Sequence, residues 1–543
     1  MLQKILLILL FLVSFLHSCA QNTEKQNTSQ FTKADTLRGM LTPLRTCYDV
    51  TYYDLKVKLD IPKRSISGKN TFHFKVKQDF KTCQIDLFDN MVIEKIEYKG
   101  RPIFFKRQYH AVFLTFPTEL KAGTMDSFTV HYNGRPKEAV RAPWDGGFVW
   151  RKDKEQNDWV GVACEGIGAS LWWPLKDHLS DEPDSQSISI EVPSHLMAVS
   201  NGRLRKIEDL GKTKIFHWFV SYPINSYNVT LNVGNYTQIQ DVFQSVDGKL
   251  TLDYFVLSYN KDKAKEHFKQ VKPMLKCFEQ YFGAYPFQRD GYKLVETDYW
   301  GMEHQSCIAY GNNYQNNEWG FDYIIVHESG HEWFGNSISV SDHAEMWIHE
   351  SFTTYTEAIF VECMYGYEQA VKYLAAQSFN ILNQEPILGP LDVNYDKWIG
   401  ADMYYKGACM LHTLRNCVNN DELWFKTIKL FCLNFRYRIV NTQQVIQFFN
   451  LNLQNDFTAF FEQYLQFSKP PIFEYKIVKN GNQWELHYQW KTNVQNFKMP
   501  IEIIVNNKSI RLNPTNQLQK IEIPSDKITV DKYKFYVYTQ KMK

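Results

Sequence analysis

Between Met40 and Gln238 apolar side chains recur at every second position, and from about Lys261 they recur at helical spacing; a chain with that change of period must fold as a sheet-rich unit followed by a helix-rich one. Tyr53, Leu55, Val57, Leu59 and Ile61 alternate with polar neighbours, and Phe72, Phe74 and Val76 repeat the pattern after Ser67-Gly68. Alternation bounded by turn residues predicts half-buried antiparallel strands. Farther on, Lys261–Phe282 reads as helix, Gly291–Glu296 as a short strand, Phe321–Phe334 as helix again, with further helical patterns through Gln466. Pro470-Pro471 closes that regime, because proline cannot continue a helix. Strands are then predicted at Phe473–Val478, Trp484–Trp490, Ile501–Val505, Leu518–Ile523 and Phe535–Tyr538. The expected architecture is multidomain α+β: an N-terminal antiparallel β domain over 40–238, a mainly helical domain over 239–469, and a small β-sandwich-like domain over 470–543.

The N-terminus carries an address. Lys4 precedes an almost wholly apolar Ile5–Phe15, which is too short for a membrane span of about 20 residues. Residues 1–19 are expected to be a signal peptide and 20–39 a polar tether. Leu16-His17-Ser18-Cys19 matches a bacterial lipoprotein box, which would make Cys19 a lipid anchor; ordinary cleavage before Gln21 is the alternative. The expected location is therefore periplasmic or on the outer membrane or cell surface as a lipoprotein, or else secreted. Net charge is only +2 with no run of Lys and Arg, so no nucleic-acid partner is expected. The ten cysteines are unevenly spaced without a Cys-x-x-Cys pair. They predict neither a disulfide framework nor a cysteine-held metal, and read mostly as small buried apolar residues.

The chemistry is concentrated in His327-Glu328-Ser329-Gly330-His331. On a helix, residues four apart share a face, so two imidazoles can ligate one Zn²⁺ with the intervening glutamate beside the metal's water. Gly330 is a poor helix former, tolerated most easily where another backbone packs closely. In a chain of this composition such a motif arises by accident roughly once in forty. A third ligand is required, because catalytic zinc takes three protein ligands and one water. Glu350 lies nineteen residues after His331, and demanding that offset lowers the accidental rate to the order of one in a thousand.

These residues resemble the aminopeptidase N family of zinc metallopeptidases, which also contains leukotriene hydrolase. That family carries HExxH, eighteen intervening residues, then Glu within Trp-Leu-Asn-Glu-Gly-Phe; here the second segment is Trp347-Ile348-His349-Glu350-Ser351-Phe352, and His331-Glu332-Trp333-Phe334-Gly335-Asn336 matches His-x-Trp-Phe-Gly-Asn. The resemblance implies a saddle-like N-terminal β domain, a thermolysin-like catalytic domain, and one zinc per chain held by His327, His331 and Glu350, with Glu328 as general base. Glu357, seven residues on from Glu350 and so on the same helical face, matches a family glutamate and is a candidate to orient a histidine ligand.

Further matches imply an aminopeptidase. Trp300-Gly301-Met302-Glu303-His304 resembles the family's Gly-Ala-Met-Glu-Asn, in which the glutamate grips a peptide's free α-ammonium; Gly301 and Met302 would then line the substrate, while Trp300 and His304 depart from the pattern. Alignment on Trp173-Pro174 and Asp181-Glu182-Pro183 brings Glu165 onto a second amine anchor. Tyr404-Tyr405-Lys406-Gly407-Ala408 resembles Tyr-x-Lys-Gly-Ala, which assigns Tyr404 as hydrogen-bond donor to the oxyanion. The expected substrates are peptides with a free N-terminus. A thermolysin-type endopeptidase and an inactive surface binding protein on a peptidase fold are the alternatives.

Overall fold

The computed structural model describes residues 31–543, so the expected signal peptide, Cys19 and the tether up to residue 30 lie outside the described residues. The remainder of the expected tether is helical over Lys33–Gly39, opened by a reciprocal bond between Thr32 and Asp35. Arg38 ties it down by donating to the Gly166 carbonyl at 2.9 Å.

The alternating run is the middle of the N-terminal domain. Tyr53, Leu55, Val57 and Leu59 are all buried on the strand Tyr48–Asp60, Ile61 in the turn just after it, and Phe72, Phe74 and Val76 on its antiparallel neighbour Ser65–Val76. On its other side Tyr48–Asp60 pairs in parallel with Ser185–Pro193, so this eight-stranded sheet is not purely antiparallel. A four-stranded sheet built on Asp158–Ala163 and Leu231–Gly234 lies at the end of the domain that meets the helices. Beside the strand Tyr48–Asp60, buried Lys176 pairs with Asp181 at 2.6 Å and donates to the Tyr48 carbonyl at 2.9 Å, giving Asp181-Glu182-Pro183 a structural use.

The expected boundary at 238/239 falls inside the strand Tyr236–Ser245, which pairs along its whole length with Gly248–Leu257 as the start of a five-stranded sheet. The opposite edge of that sheet is the two-residue strand Gly301–Met302, antiparallel to Ile308–Tyr310. Helix α1 (Tyr323–Gly330) packs on this edge, α2 (Trp347–Tyr365) packs on α1, and α3 (Asp402–Val418) packs on α2. α1 is shorter than the predicted Phe321–Phe334. From Glu332 the chain tightens into a turn, with Glu332 N–H donating to Ser329 O and Trp333 N–H to Gly330 O. His331 caps the helix at φ −61°, ψ −22°, still right-handed, so the four-residue spacing to His327 is kept.

The C-terminal segment forms a four-stranded and a three-stranded sheet from Ile472 onward. Its last predicted strand is displaced. Pairing begins only at Tyr538, while Phe535 and Val537 are buried as loop anchors. Cysteine spacing misled in one respect: Cys277 and Cys363 form a disulfide between the helix Val271–Phe282 and α2. They are 86 residues apart in sequence, a proximity that only the tertiary packing of two helices creates. The other described cysteines are free and buried. Among the described residues no helix is long and apolar enough to cross a membrane.

Candidate active site

α1 begins at Asp322, whose carboxylate accepts the N–H of Ile324 at 3.0 Å, a helix start that leaves the histidines on the inward face. Gly330 allows α2 to approach: a Cβ there would lie 2.5 Å from Thr356 Oγ1. That closeness brings Glu350, in the first turn of α2, against the histidine pair. His327 Nε2 and His331 Nε2 are 3.2 Å apart, and Glu350 Oε2 lies 3.6 Å from the first and 3.5 Å from the second.

The other ring nitrogens are committed elsewhere. His327 Nδ1 donates to Glu357 Oε1 at 2.7 Å, and Glu357 Oε2 accepts from Tyr373 at 2.5 Å and Gln377 at 2.8 Å. His331 Nδ1 donates to the Phe334 carbonyl at 3.0 Å. With Nδ1 protonated, both Nε2 lone pairs point to one spot, where Glu350 Oε2 is buried without a hydrogen-bond partner. Two imidazole nitrogens and one carboxylate, each steered by its own outer partner, fit a divalent zinc.

The predicted substrate-side residues converge on the same spot. Glu303 lies within one cluster with Glu328 and His331, and Glu165, Glu303 and Glu350 form another, the ligating atoms of each lying within 4.8 Å of one another. Gly301, on the edge strand, abuts the base: a Cβ there would come 2.5 Å from Glu328 Oε1. Met302 follows it, buried. The Tyr404 ring, at the start of α3, stacks 6.0 Å from that of His327. Burial, with the Glu357 carboxylate, raises the neighbouring Tyr405 hydroxyl.

Four carboxylates thus crowd one space, Glu303, Glu328 and Glu350 buried and Glu165 half-buried. Burial, opposed by His327 and reinforced by Glu303, pushes Glu328 up to about 8. Glu165 is raised well above the carboxylate range by burial and by Glu303, Glu350 and Glu328. Burial also raises Glu303, against the pull of His331. Such a site calls for cations, and a divalent metal plus an ammonium beside Glu303 and Glu165 would hold these groups ionised. Tyr404 is raised by burial and by Glu350, so its hydroxyl keeps its proton as a donor.

Some supporting residues escaped the motif reading. Tyr227 donates to Glu303 Oε1 at 3.1 Å and lies 3.2 Å from His349 Nδ1. Glu332 receives Tyr285, Ser306 and Asn336 at 2.7, 2.8 and 3.2 Å, and Asn336 also donates to the Glu303 carbonyl at 2.9 Å. Glu332 could have been suspected from its place within the zinc motif. Tyr227, in a short 3₁₀ turn, has no sequence signal. His304, one of the departures, is fully buried, with neither ring nitrogen partnered among the described residues.

Comparison with known proteins bears on the family and the fold. The model of the peptidase M1 N-terminal domain matches residues 50–228 and that of the peptidase family M1 domain matches 266–464, together more than half of the 543 residues. Mouse (Mus musculus) aminopeptidase B is 25% identical over 285 residues, covering 48% of this chain and 41% of that protein. Probable aminopeptidase 2 of Sulfurisphaera tokodaii is 19% identical over 478 residues, 82% of this chain and 58% of that one. The chain therefore spans less than two thirds of the length of these curated relatives. Among solved structures, a Deinococcus radiodurans M1 zinc metallopeptidase variant bound to a Tyr-ser-ala substrate has a TM-score of 0.65 at 19% identity, covering 77% of this chain and 94% of that one, a likeness of fold. With both family domains matched in order along it, and the fold in agreement, the chain belongs to peptidase family M1.

Proposed function

We propose that the chain is a zinc aminopeptidase that removes the N-terminal residue from peptides. The observation that carries this is the gathering of Glu165 and Glu303 around Glu350, beside the His327–His331 pair. Zinc ligation and a base serve any metallopeptidase, but two further acids, Glu303 buried and Glu165 half-buried, suit a substrate that brings its own positive charge. The interior of a protein chain would leave them unpaired, a large penalty.

His327, His331 and Glu350 would hold the metal, one per chain. When bound, zinc supplies Lewis-acid chemistry, polarising a carbonyl and acidifying water. Glu303 and Glu165 hold the α-ammonium and so fix which peptide bond is presented. Glu328 accepts the water's proton and returns it to the leaving nitrogen. Tyr404 donates to the developing oxyanion. Glu357 and the Phe334 carbonyl keep both imidazoles in the Nδ1–H form throughout.

The test is a matched pair of peptides, one with a free and one with an acetylated α-amine, incubated with and without chelator. The free peptide should lose one residue at a time and the acetylated one should be spared, with chelator stopping the reaction. Equal cleavage of both would favour a thermolysin-type endopeptidase, and no cleavage of either an inactive binding protein. Glu328→Gln should abolish turnover while metal content stays at wild-type level. We also propose that the protein is exported, through the Ile5–Phe15 segment, and anchored by lipid at Cys19; the Cys277–Cys363 disulfide supports an oxidising destination. The mass of the mature N-terminal peptide distinguishes lipidation from ordinary cleavage.

A further inference from the structure

Two large exposed aromatic rings meet where the N-terminal and catalytic domains face each other. Trp144 is 67% exposed and Trp300 44% exposed, yet their centroids are 6.1 Å apart. Single exposed aromatics are commonplace; these two come from different domains and continue inward. The Trp300 ring lies 5.7 Å from Tyr323, and Tyr323 lies 5.3 Å from the ligand His327. A line of rings therefore leads from solvent to the metal position.

Trp300 is held by its own polar contact, and the turn that carries Trp144 by those of its neighbours. Trp300 Nε1 donates to Asn312 Oδ1 at 3.0 Å, and Asn312 donates to Asp322, the N-cap of α1, at 2.9 Å. The Trp144 turn is fixed by Asp145, whose carboxylate accepts the N–H groups of Val140 and Arg141 at 2.7 and 2.9 Å. Lys137 adds a bond to the Asp145 carbonyl at 2.7 Å. The rings are thus presented to solvent on braced supports.

Their place along a bound peptide follows from the edge strand. Glu303 marks the end that receives the ammonium. Two residues earlier, Gly301 abuts Glu328, the group that serves the scissile nitrogen. An extended chain advances about 3.3 Å per residue, so the direction from Glu303 through Gly301 to Trp300 runs from the amine, past the bond to be cut, toward the leaving group. We propose, resting on the aminopeptidase reading, that Trp144 and Trp300 form a stacking subsite for an aromatic or large apolar side chain on the leaving-group side, at the second or third residue of the substrate. Trp300, where the family pattern has glycine, makes this a property of this chain.

The experiment measures kcat and KM for Ala-Phe-Ala, Ala-Ala-Phe and Ala-Ala-Ala with the wild-type protein and with Trp144→Ala, Trp300→Ala and Trp300→Phe. The better of the two phenylalanine peptides should exceed Ala-Ala-Ala in kcat/KM by roughly threefold to tenfold, the size of one aromatic contact, mainly through KM. Both alanine variants should bring that ratio close to one, and Trp300→Phe should recover much of it. An active enzyme with no such preference, or one whose preference is the same in the alanine variants, overturns the subsite alone. A metal-loaded wild-type protein inert on all three peptides overturns the subsite together with the aminopeptidase reading.

Discussion

At the scale of single residues, the site is a problem of charge. Glu303 is buried, with Tyr227 on Oε1, and its proposed counter-ion arrives with the substrate. Glu303→Gln keeps the shape and removes the charge, so kcat/KM for unblocked peptides should fall by about 10² or more, in line with losing one partner of a buried charge pair; steady-state kinetics read it directly. Glu357 acts through His327. Glu357→Ala should weaken zinc binding by about tenfold to a hundredfold, measured by competition with a chromophoric chelator. How much of this was legible depended on whether the chemistry is local in sequence. His327, Glu328 and His331 announce themselves through helical spacing, and Glu350, Glu303, Glu165 and Tyr404 through motif resemblance; all are brought to one place. Tyr227 was hidden because its partners Glu303 and His349 are 76 and 122 residues away, and nothing near it repeats a pattern.

At the scale of elements, the site exists because helices can come unusually close. Gly407 of α3 faces Ser351 of α2, where a Cβ would fall 1.7 Å from Ser351 Oγ, one turn along the helix from Tyr404, whose ring stacks on that of His327. Gly407→Ala should destabilise the protein by about 1–3 kcal/mol through overpacking and displace Tyr404, lowering kcat. The double variant with Ser351→Gly, which clears the space, should recover much of the stability in a urea titration. Sequence periodicity located α1 but overran it, since the apolar pattern continues to Phe334 while the backbone tightens into a turn after His331. The 238/239 boundary erred for a related reason: alternation is the same on either side of a domain border, so Tyr236–Ser245 gives no sign that its pairing partner is Gly248–Leu257.

For the whole molecule, stability is tied to acidity by histidines that fold neutral. Burial, with Arg45 nearby, pulls His178 down to about 4, and burial, with Arg415 nearby, pulls His412 down to about 3. The ordinary value is 6.5, so below it the unfolded chain binds protons that the native state refuses. Their contribution is whole above about pH 6.5 and drains away as pH falls toward 4 and then 3. Thermal midpoints should therefore drop steeply between pH 6.5 and 4, and His412→Gln should flatten part of that slope. The three-part order of the chain was legible because period and prolines mark it. Contacts between the parts were not: Arg511, from the C-terminal sheets, donates to the Asn416 and Cys417 carbonyls at the end of α3 at 3.0 and 2.7 Å, and no local pattern foretells such a brace.

The pairing of Glu165 with Glu303 makes the proposed reaction self-renewing. Each round liberates one amino acid and leaves behind a shortened chain whose new terminus bears the same charge at the same reach, so every product qualifies as the next reactant. Time courses on one oligomer should accordingly descend as a ladder of successive lengths, halting only at a terminus too bulky or too modified to enter.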